Sequence, residues 1–107
     1  MAKDKKGEFG KRKQLLANYA KAISHPARIS ILRILAREDT CSCQQIVDEL
    51  PLSQSTVSQH LKELKISGLI ESSIEGPKSN YKLIKSAIHE FEHEMDRLIH
   101  IISSKKK

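Results

Sequence analysis

The sequence predicts a mostly α domain with a small β-hairpin, an α+β arrangement in the order α-α-α-α-β-β-α. Apolar residues recur at helical spacing in five segments, and a tight turn around Pro51 joins two of them. After Gly68 the pattern changes to two short β-type segments separated by turn residues. A length of 107 residues is enough for one domain and too short for two.

The first two predicted helices follow a charged, glycine-containing segment. Residues 1–10 have the composition of a disordered basic tail. Between Lys11 and Ile23 the apolar residues recur at helical spacing, which predicts a first helix over this segment. Pro26 suits the first position of a helix, where its missing N–H would have no partner in any case, so a second helix runs from there to about Ala36.

The third and fourth predicted helices form a pair joined by a tight turn. Ser42, followed three residues later by Gln45, has the capping-box pattern that starts a short helix, and this helix ends near Leu50. Ser53 caps the next helix, and Gly68 ends it as a typical left-handed stop. Two helices joined in this way are typical of a helix-turn-helix.

The last part of the chain predicts a hairpin and a closing helix. Residues 69–74 and 80–84 are β-type segments joined by a turn that contains Gly and Pro, and they add a wing to the helix pair, which makes a winged helix-turn-helix. The final helix, over 86–103, has a longer apolar stripe than one small domain can cover, which indicates burial against a second copy. With the first helix, it supplies the predicted dimer interface, namely Leu15, Tyr19, Ile88, Phe91, Met95, Leu98, Ile99 and Ile102.

The positive charge is concentrated at the two ends of the chain. The formal net charge is +6 and the pI about 9.4, which favours a polyanionic partner, either nucleic acid or an anionic membrane surface. The first thirteen residues carry +4 and the basic C-terminal tail, residues 105–107, carries +3, so residues 14–104 sum to −1. DNA affinity of the single folded domain, predicted over 11–104, therefore depends on local placement of charge, while the tails add a salt-sensitive contribution.

Several classes of protein are disfavoured. No segment approaches the ~20 apolar residues of a membrane span, and no apolar run follows the basic N-terminus to form a signal peptide. We therefore expect a cytoplasmic protein with no membrane partner, in which Cys41 and Cys43 stay reduced, as ligands, as nucleophiles or as small core residues. The sequence contains no nucleophile-base pair, phosphate loop or dense metal constellation, which argues against an enzyme and against a required cofactor.

Four strings of residues carry a resemblance to a known family. They are Ser24 to Leu32, Cys41-Ser42-Cys43, Leu52 to Leu64, and Ser67 to Ile70. In this order the chain resembles the ArsR/SmtB family of arsenical-resistance and metal-sensing repressors over nearly all of residues 11–103. The resemblance implies a cytoplasmic homodimer that represses an operator in double-stranded DNA and releases it when an effector binds.

The fourth helix presents the candidate DNA-binding residues. With Val57 on the buried side, Ser55, Gln59 and Lys62 lie near the opposite side, as short donors and acceptors that can reach base edges in the major groove. The helix N-terminus favours phosphate, and a lysine at the wing tip can reach the backbone or the minor groove. The predicted set is Ser53, Gln54, Ser55, Thr56, Ser58, Gln59, His60, Lys62 and Lys78, in which His60 flanks the buried stripe and is either packed or in contact with phosphate.

Cys41 and Cys43 match the Cys-x-Cys of the family's arsenic and soft-metal sensors, so the resemblance implies a site for As(III) or a soft metal. We expect the start of the third helix to lower the thiol pKa, and thiolates select soft ions. The chain has no third cysteine, so His, water, a small thiol or the other subunit must complete the site. The alternative is a metal-independent or redox-responsive regulator whose thiols are inert or oxidisable.

A second candidate metal site lies on the last helix. His89 and His100 reproduce the spacing of two histidines in the family's interhelical zinc site, whose ligands come from both subunits. His93 and Asp96 lie on the same side of the helix and can add ligands. The flanking carboxylates of the family pattern are missing, so zinc is the less favoured ion. The alternative interpretation of this stripe is a solvated helix face.

Overall fold

The computed structural model describes residues 6–75 and 78–104, which form five α-helices and three β-strands. The elements are α1 (Lys11–Ala22), α2 (Pro26–Glu38), β1 (Cys41–Ser42), α3 (Cys43–Val47), α4 (Gln54–Ser67), β2 (Ile70–Glu75), β3 (Lys78–Leu83) and α5 (Lys85–Ser103). The mostly helical fold with a wing hairpin confirms the predicted class. No helix among these residues is long and apolar enough to cross a membrane.

The segment before α1 contains a short 3-10 turn. The sequence predicts no regular structure over residues 1–10, and the structure places this turn at Lys6–Phe9. Gly10 follows with a φ of 85°, a conformation that suits glycine, and this bend separates the turn from α1. The remainder of the predicted N-terminal tail, residues 1–5, and the basic residues 105–107 lie outside the described residues.

Local capping determines where α2 and α3 begin. The Nδ1 atom of His25 accepts a hydrogen bond from the N–H of Ala27 at 3.0 Å, and Pro26 occupies the first turn of α2 as predicted. At α3, the Ser42 hydroxyl accepts from the N–H of Gln45 at 3.2 Å, while the side-chain oxygen Oε1 of Gln45 accepts from the N–H of Ser42 at 2.8 Å. The predicted capping box is therefore confirmed, with both of its hydrogen bonds.

Some helix ends differ from the prediction. Helix α2 continues to Glu38, beyond the predicted Ala36, and the N–H of Asp39 still donates to the carbonyl of Leu35 at 3.1 Å. Helix α3 ends at Val47, earlier than predicted. The residues between Val47 and Pro51 form isolated turns and do not continue the helix. Helix α4 ends where predicted, at Gly68, which has a left-handed φ of 89°.

The sheet has one strand that the sequence analysis does not predict. Strand β1 pairs with β3, so the sheet has the order β1-β3-β2, with all pairs antiparallel. Cys41 lies opposite Tyr81, and a strand of two residues is too short to show an alternating pattern. Strands β2 and β3 pair as far as Glu75 and Lys78, and residues 76–77 between them lie outside the described residues.

The core lies between α2, α3, α4 and the sheet. Its large side chains have less than 2% of their surface exposed and are aliphatic, namely Ile31, Leu35, Ile46, Val57, Leu61, Leu64, Leu69 and Ile70. Burying each such side chain stabilises the fold by roughly 1.5–3 kcal/mol. Because α4 contributes three of these residues along one side, its opposite side is held outward.

Candidate nucleic-acid interface and thiol pair

Helix α4 has one apolar side and one polar side. Val57, Leu61 and Leu64 are buried, whereas the side chains opposite them line a shallow surface depression, namely Gln54, Ser55, Ser58, Gln59 and Lys62. The polar residues are all exposed. The structure thus brings together five of the predicted DNA-binding residues on one accessible helix face.

The first turn of α4 is held by hydroxyl groups. The Ser53 hydroxyl accepts from the N–H of Thr56 at 3.3 Å and donates to the Thr56 hydroxyl at 3.0 Å. It also lies 3.2 Å from the Ser55 hydroxyl. These contacts use part of the hydrogen-bonding capacity of Ser53 and Thr56. The main role of both residues is therefore to cap α4, although both remain exposed.

His60 is placed differently from the other predicted residues of α4. It is buried, its Nδ1 accepts a hydrogen bond from Nε of Arg28 at 3.2 Å, and its ring centre lies 4.4 Å from that of His25. Arg28 also donates to the carbonyl of Ala22 at 3.3 Å. His60 therefore joins α4 to α2 and is not part of the accessible face, which corrects its assignment to the DNA-binding set.

Gln59 has a partner on its own helix. Its Nε2 donates to Oε2 of Glu63, one turn later, at 3.2 Å. Gln59 is exposed and Glu63 is half-buried. Gln59 was predicted as a base-reading candidate and Glu63 was not, although a four-residue separation on a helix is enough to predict contact between them.

The wing carries an exposed lysine and an exposed isoleucine near its tip. Lys78, the predicted backbone contact, is exposed at the start of β3. Ile74 is 77% exposed and lies on the same strand face as the buried Ile70, because side chains four apart on a strand point the same way. The wing therefore extends an apolar side chain beyond the core, a feature that the sequence analysis does not include.

The two cysteines have different surroundings. Cys41 is buried on β1, and burial, followed by the charges of Glu38 and Glu49, raises the pKa of its thiol. The expected lowering of thiol pKa is therefore wrong for Cys41, because burial removes the hydration that would stabilise its thiolate. Cys43 is half-buried, and its Sγ lies 3.5 Å from Oγ of Ser58 on α4.

The candidate ligands of α5 do not converge within one chain. His89, His93, Asp96 and His100 are all exposed, and Nδ1 of His89 lies 4.0 Å from a Glu92 oxygen. Across the described part of the chain, no three His, Cys, Asp or Glu side chains come close enough to hold a metal ion. In this conformation the described residues therefore do not by themselves form a complete metal site at either predicted position.

Tyr19 belongs to the interior of the protomer. Its hydroxyl donates to Oε1 of Glu90 on α5 at 2.8 Å, and its ring centre lies 5.3 Å from that of Phe91. Burial and the Glu90 carboxylate raise the pKa of Tyr19 to about 12. Only 5% of Tyr19 is exposed, so it has almost no surface to offer a second copy, which corrects its assignment to the dimer interface.

An apolar surface runs from the start of α1 to the end of α5. We call it the α1/α5 surface and define it by Phe9, Leu16, Leu98, Ile99, Ile101 and Ile102, of which Phe9, Leu16, Leu98 and Ile101 line one groove. Of these residues, Leu98, Ile99 and Ile102 were predicted, and Ile101 is 62% exposed although the sequence analysis omits it. The predicted residues Leu15, Ile88, Phe91 and Met95 are half-buried on the same two helices.

Comparison with known proteins places this geometry among transcriptional regulators. A family model described as a helix-turn-helix domain matches residues 23–73. The chain is 30% identical over 89 residues to the arsenical resistance operon repressor of Staphylococcus xylosus, covering 83% of this chain and 81% of that protein. Its structure resembles the ArsR-like transcriptional regulator from Rhodococcus sp. RHA1, with a TM-score of 0.72, 27% identity and 80% coverage of each chain.

A second solved structure shares the fold over nearly the whole chain. It is the homodimeric winged helix-turn-helix DNA-binding domain of Mb0332 from Mycobacterium bovis, with a TM-score of 0.67 and 22% identity. The match covers 99% of this chain and 96% of that one.

Proposed function

This chain belongs to the ArsR/SmtB family of winged helix-turn-helix transcriptional regulators, and we propose that it acts as a homodimeric repressor that a thiophilic ion releases from its operator. The family consists of DNA-binding regulators and not of enzymes. The observation that carries the proposal is the exposed polar face of α4, because it presents hydrogen-bonding groups on a rigid element while the other side of that helix is fixed in the core.

The shape of this face fits the major groove of DNA. Serine and glutamine side chains are short, and they can donate to or accept from base edges without holding the helix away from the groove. Lys62 and Lys78 are exposed on α4 and the wing, where each can neutralise a phosphate. In this arrangement α4 reads the sequence, and the two lysines strengthen binding to any duplex.

The α1/α5 surface is the proposed dimer interface. Leu98, Ile99 and Ile102 are between 39% and 66% exposed, which is costly for aliphatic side chains left in water. The M. bovis protein, which has the same fold, is homodimeric, and this supports self-association of the present chain. A two-fold dimer would present two copies of α4, and successive major grooves lie one helical turn of DNA apart.

The position of the thiols supports their role as the sensing site. Sγ of Cys43 lies 3.5 Å from Oγ of Ser58, which stands on the polar face of α4. Cys41 lies on β1, which pairs with the wing strand β3. An ion that draws both sulfurs towards one point would therefore act on α4 and on the wing together, with a small thiol, water or the second subunit completing its coordination.

One observation favours a second candidate function, a repressor whose thiols bind no effector. Cys41 is only 2% exposed and is packed with aliphatic residues of the core. A buried cysteine of this kind behaves as a small apolar residue. Ion binding would have to expose this sulfur, whereas a structural Cys41 would simply remain where it is.

Selection from a pool of duplexes with a randomised core tests operator binding. We expect the retained sequences to share a motif with two inverted half-sites, since a homodimer reads the same bases twice. Retention of duplexes without any shared motif would contradict sequence-specific recognition. The selected duplex then serves as the ligand for the effector experiment.

The effector experiment measures affinity for the selected duplex with and without As(III), in the unmodified protein and in the Cys41→Ser, Cys43→Ser double variant. We expect As(III) to weaken binding by about 5–150-fold in the unmodified protein and to have no effect on the double variant. An equal response in both proteins would place sensing elsewhere, with the histidines of α5 as the next candidates. No response in either would support the ion-independent repressor.

A further inference from the structure

We propose that Glu63 is a positioning residue that fixes the amide of Gln59 and thereby selects adenine at the base pair that Gln59 contacts. This inference rests on the proposed role of α4 in reading DNA and assigns the base specificity of that helix. It concerns a pair of residues outside the capping, core and thiol contacts described above.

The two side chains meet on the accessible side of α4. Nε2 of Gln59 donates to Oε2 of Glu63 at 3.2 Å. Gln59 lines the polar face, whereas Glu63 is half-buried at its edge, in a shallow depression that it shares with Arg28 and Ile66. A half-buried carboxylate has fewer positions available than an exposed one, so it is a suitable anchor for the more mobile amide.

The chemistry of the pair fixes which way round the amide stands. An ionised carboxylate can only accept hydrogen bonds, so Gln59 must turn its NH2 group, and not its oxygen, towards Glu63. A glutamine without such a partner exchanges its oxygen and nitrogen by rotating the amide. With Glu63 in place, the oxygen and the second N–H of Gln59 keep a constant order along the helix.

This order matches adenine and disfavours guanine. In the major groove adenine presents an acceptor, N7, beside a donor, the N6 amino group, which one N–H and one carbonyl oxygen satisfy together. Guanine presents two acceptors, N7 and O6, so an amide held in this orientation would set its oxygen against O6. Glu63 therefore acts through Gln59 and needs no contact with DNA of its own.

The chain contains a matched control for this pair. On α3, Nε2 of Gln44 donates to Oδ1 of Asp48 at 2.8 Å, with the same separation of four residues. Both residues are exposed, and neither lines the polar face of α4. Asp48→Asn and Glu63→Gln remove the same charge, and each leaves an amide of the same size as the carboxyl group, so they match in chemistry and differ in location and exposure.

The test compares base preferences in full-length protein by selection from a duplex pool with a randomised core. The proteins are the unmodified chain, Glu63→Gln, Gln59→Ala and Asp48→Asn. We expect the unmodified protein to prefer adenine at one position of each half-site and Gln59→Ala to lose that preference. Glu63→Gln should lower the ratio of adenine to guanine there by about tenfold, and Asp48→Asn should leave it unchanged.

The ratio at one position distinguishes positioning from charge. Loss of a negative charge near phosphates raises affinity for all duplexes, and it does so without changing the ratio of two bases. An unchanged or sharper adenine preference in Glu63→Gln, with preference still lost in Gln59→Ala, would overturn the role of Glu63. If Gln59→Ala changes the base preference at no position of the half-site, the proposed docking of α4 in the major groove is wrong as well. Circular dichroism of each variant verifies that the helices are retained.

Discussion

Arg28 and His60 join α2 to α4 through a single hydrogen bond, in which Nε of Arg28 donates to Nδ1 of His60 at 3.2 Å. The bond requires a neutral imidazole, because a protonated histidine has no acceptor nitrogen. Burial, followed by the His25 ring and the Arg28 guanidinium, lowers the pKa of His60. The helix that carries the polar face is therefore held in place partly by a titratable group.

The free energy of unfolding should fall in mild acid. The folded-state pKa of His60 lies below its ordinary value of about 6.5, so the unfolded chain takes up the proton more readily. The contribution of this bond is present above about pH 6.5 and is lost as the pH drops through the folded-state pKa. Denaturant unfolding at a series of pH values measures it. His60→Asn, which keeps an acceptor but does not titrate, should weaken the dependence, whereas the exposed His93→Asn should not, and equal slopes in all three proteins would contradict the prediction.

Gln59 and Lys78 should contribute to DNA binding in different ways. Gln59→Ala should cost roughly 1–3 kcal/mol on the selected duplex and relax the preference at one base pair of each half-site. Lys78→Ala should weaken binding to all sequences similarly and reduce the slope of log affinity against log salt by about 1 per chain. Titrations at several salt concentrations separate the two effects. If neither variant changes the titration, the docking of helix and wing is wrong.

Charge on the α1/α5 surface should prevent self-association. Leu98→Glu combined with Ile102→Glu places two carboxylates where an aliphatic contact is proposed, and it should give monomers that bind the selected duplex weakly. Sedimentation across a range of concentrations measures the mass. Ile74→Glu, a change on the exposed wing, is the matched control and should remain dimeric. A monomer mass for the unmodified protein at every concentration would refute the interface.

Tyr19 should contribute to stability within one chain. Tyr19→Phe removes the hydrogen bond to Glu90 and should lower the free energy of unfolding by about 0.5–1.5 kcal/mol. Tyr19→Ala also removes the contact with Phe91 and should cost about 3–5 kcal/mol. Urea unfolding measures both. Because the ring is buried in the protomer, Tyr19→Phe should leave the mass of the protein in solution unchanged, and a monomer would return Tyr19 to the interface.

Cadmium binding at the proposed thiol site should strengthen as the pH rises. Cys41 has a raised pKa and is protonated near neutral pH, so Cd²⁺ must displace its proton. The absorbance of the cadmium-thiolate bond, followed at several pH values, reports this affinity. Cys41→Ser should bind more weakly and with a smaller pH dependence than the unmodified chain. Affinity that is independent of pH would argue against Cys41 as a ligand.

Local sequence patterns were sufficient for the helices that carry the site. The capping box of Ser42 and Gln45 and the left-handed stop at Gly68 depend on neighbours within four residues, and the structure has both. The buried stripe of α4 likewise follows from spacing alone, and it defines the exposed face by exclusion. Features of this kind can be predicted from sequence because the residues that determine them are close neighbours in the chain.

Contacts between distant segments were not predictable in the same way. His60 and Arg28 are 32 residues apart, and Tyr19 and Glu90 are 71 apart, so no local pattern pairs them. On a helix considered alone, Tyr19 looked available for a dimer contact and His60 could be either packed or in contact with phosphate, and packing of a second helix buried each of them. Strand β1 was not predicted for a related reason, since its partner β3 lies almost forty residues later.

Because β1 pairs with β3, the number of residues that connect α2 to β1 cannot change without disturbing this pairing. Only residues 39 and 40 separate α2 from Cys41, which lies opposite Tyr81. Neighbouring strand residues point to opposite faces, so adding or deleting one residue here would exchange the faces of whichever side chains are paired. Both Cys41 and Ser42 are buried, so such a change would remove the thiol from its place in the core or displace the α3 cap. Insertions between α2 and β1 should therefore be tolerated far less than insertions of the same size at the wing tip, beyond the last residue pair of β2 and β3.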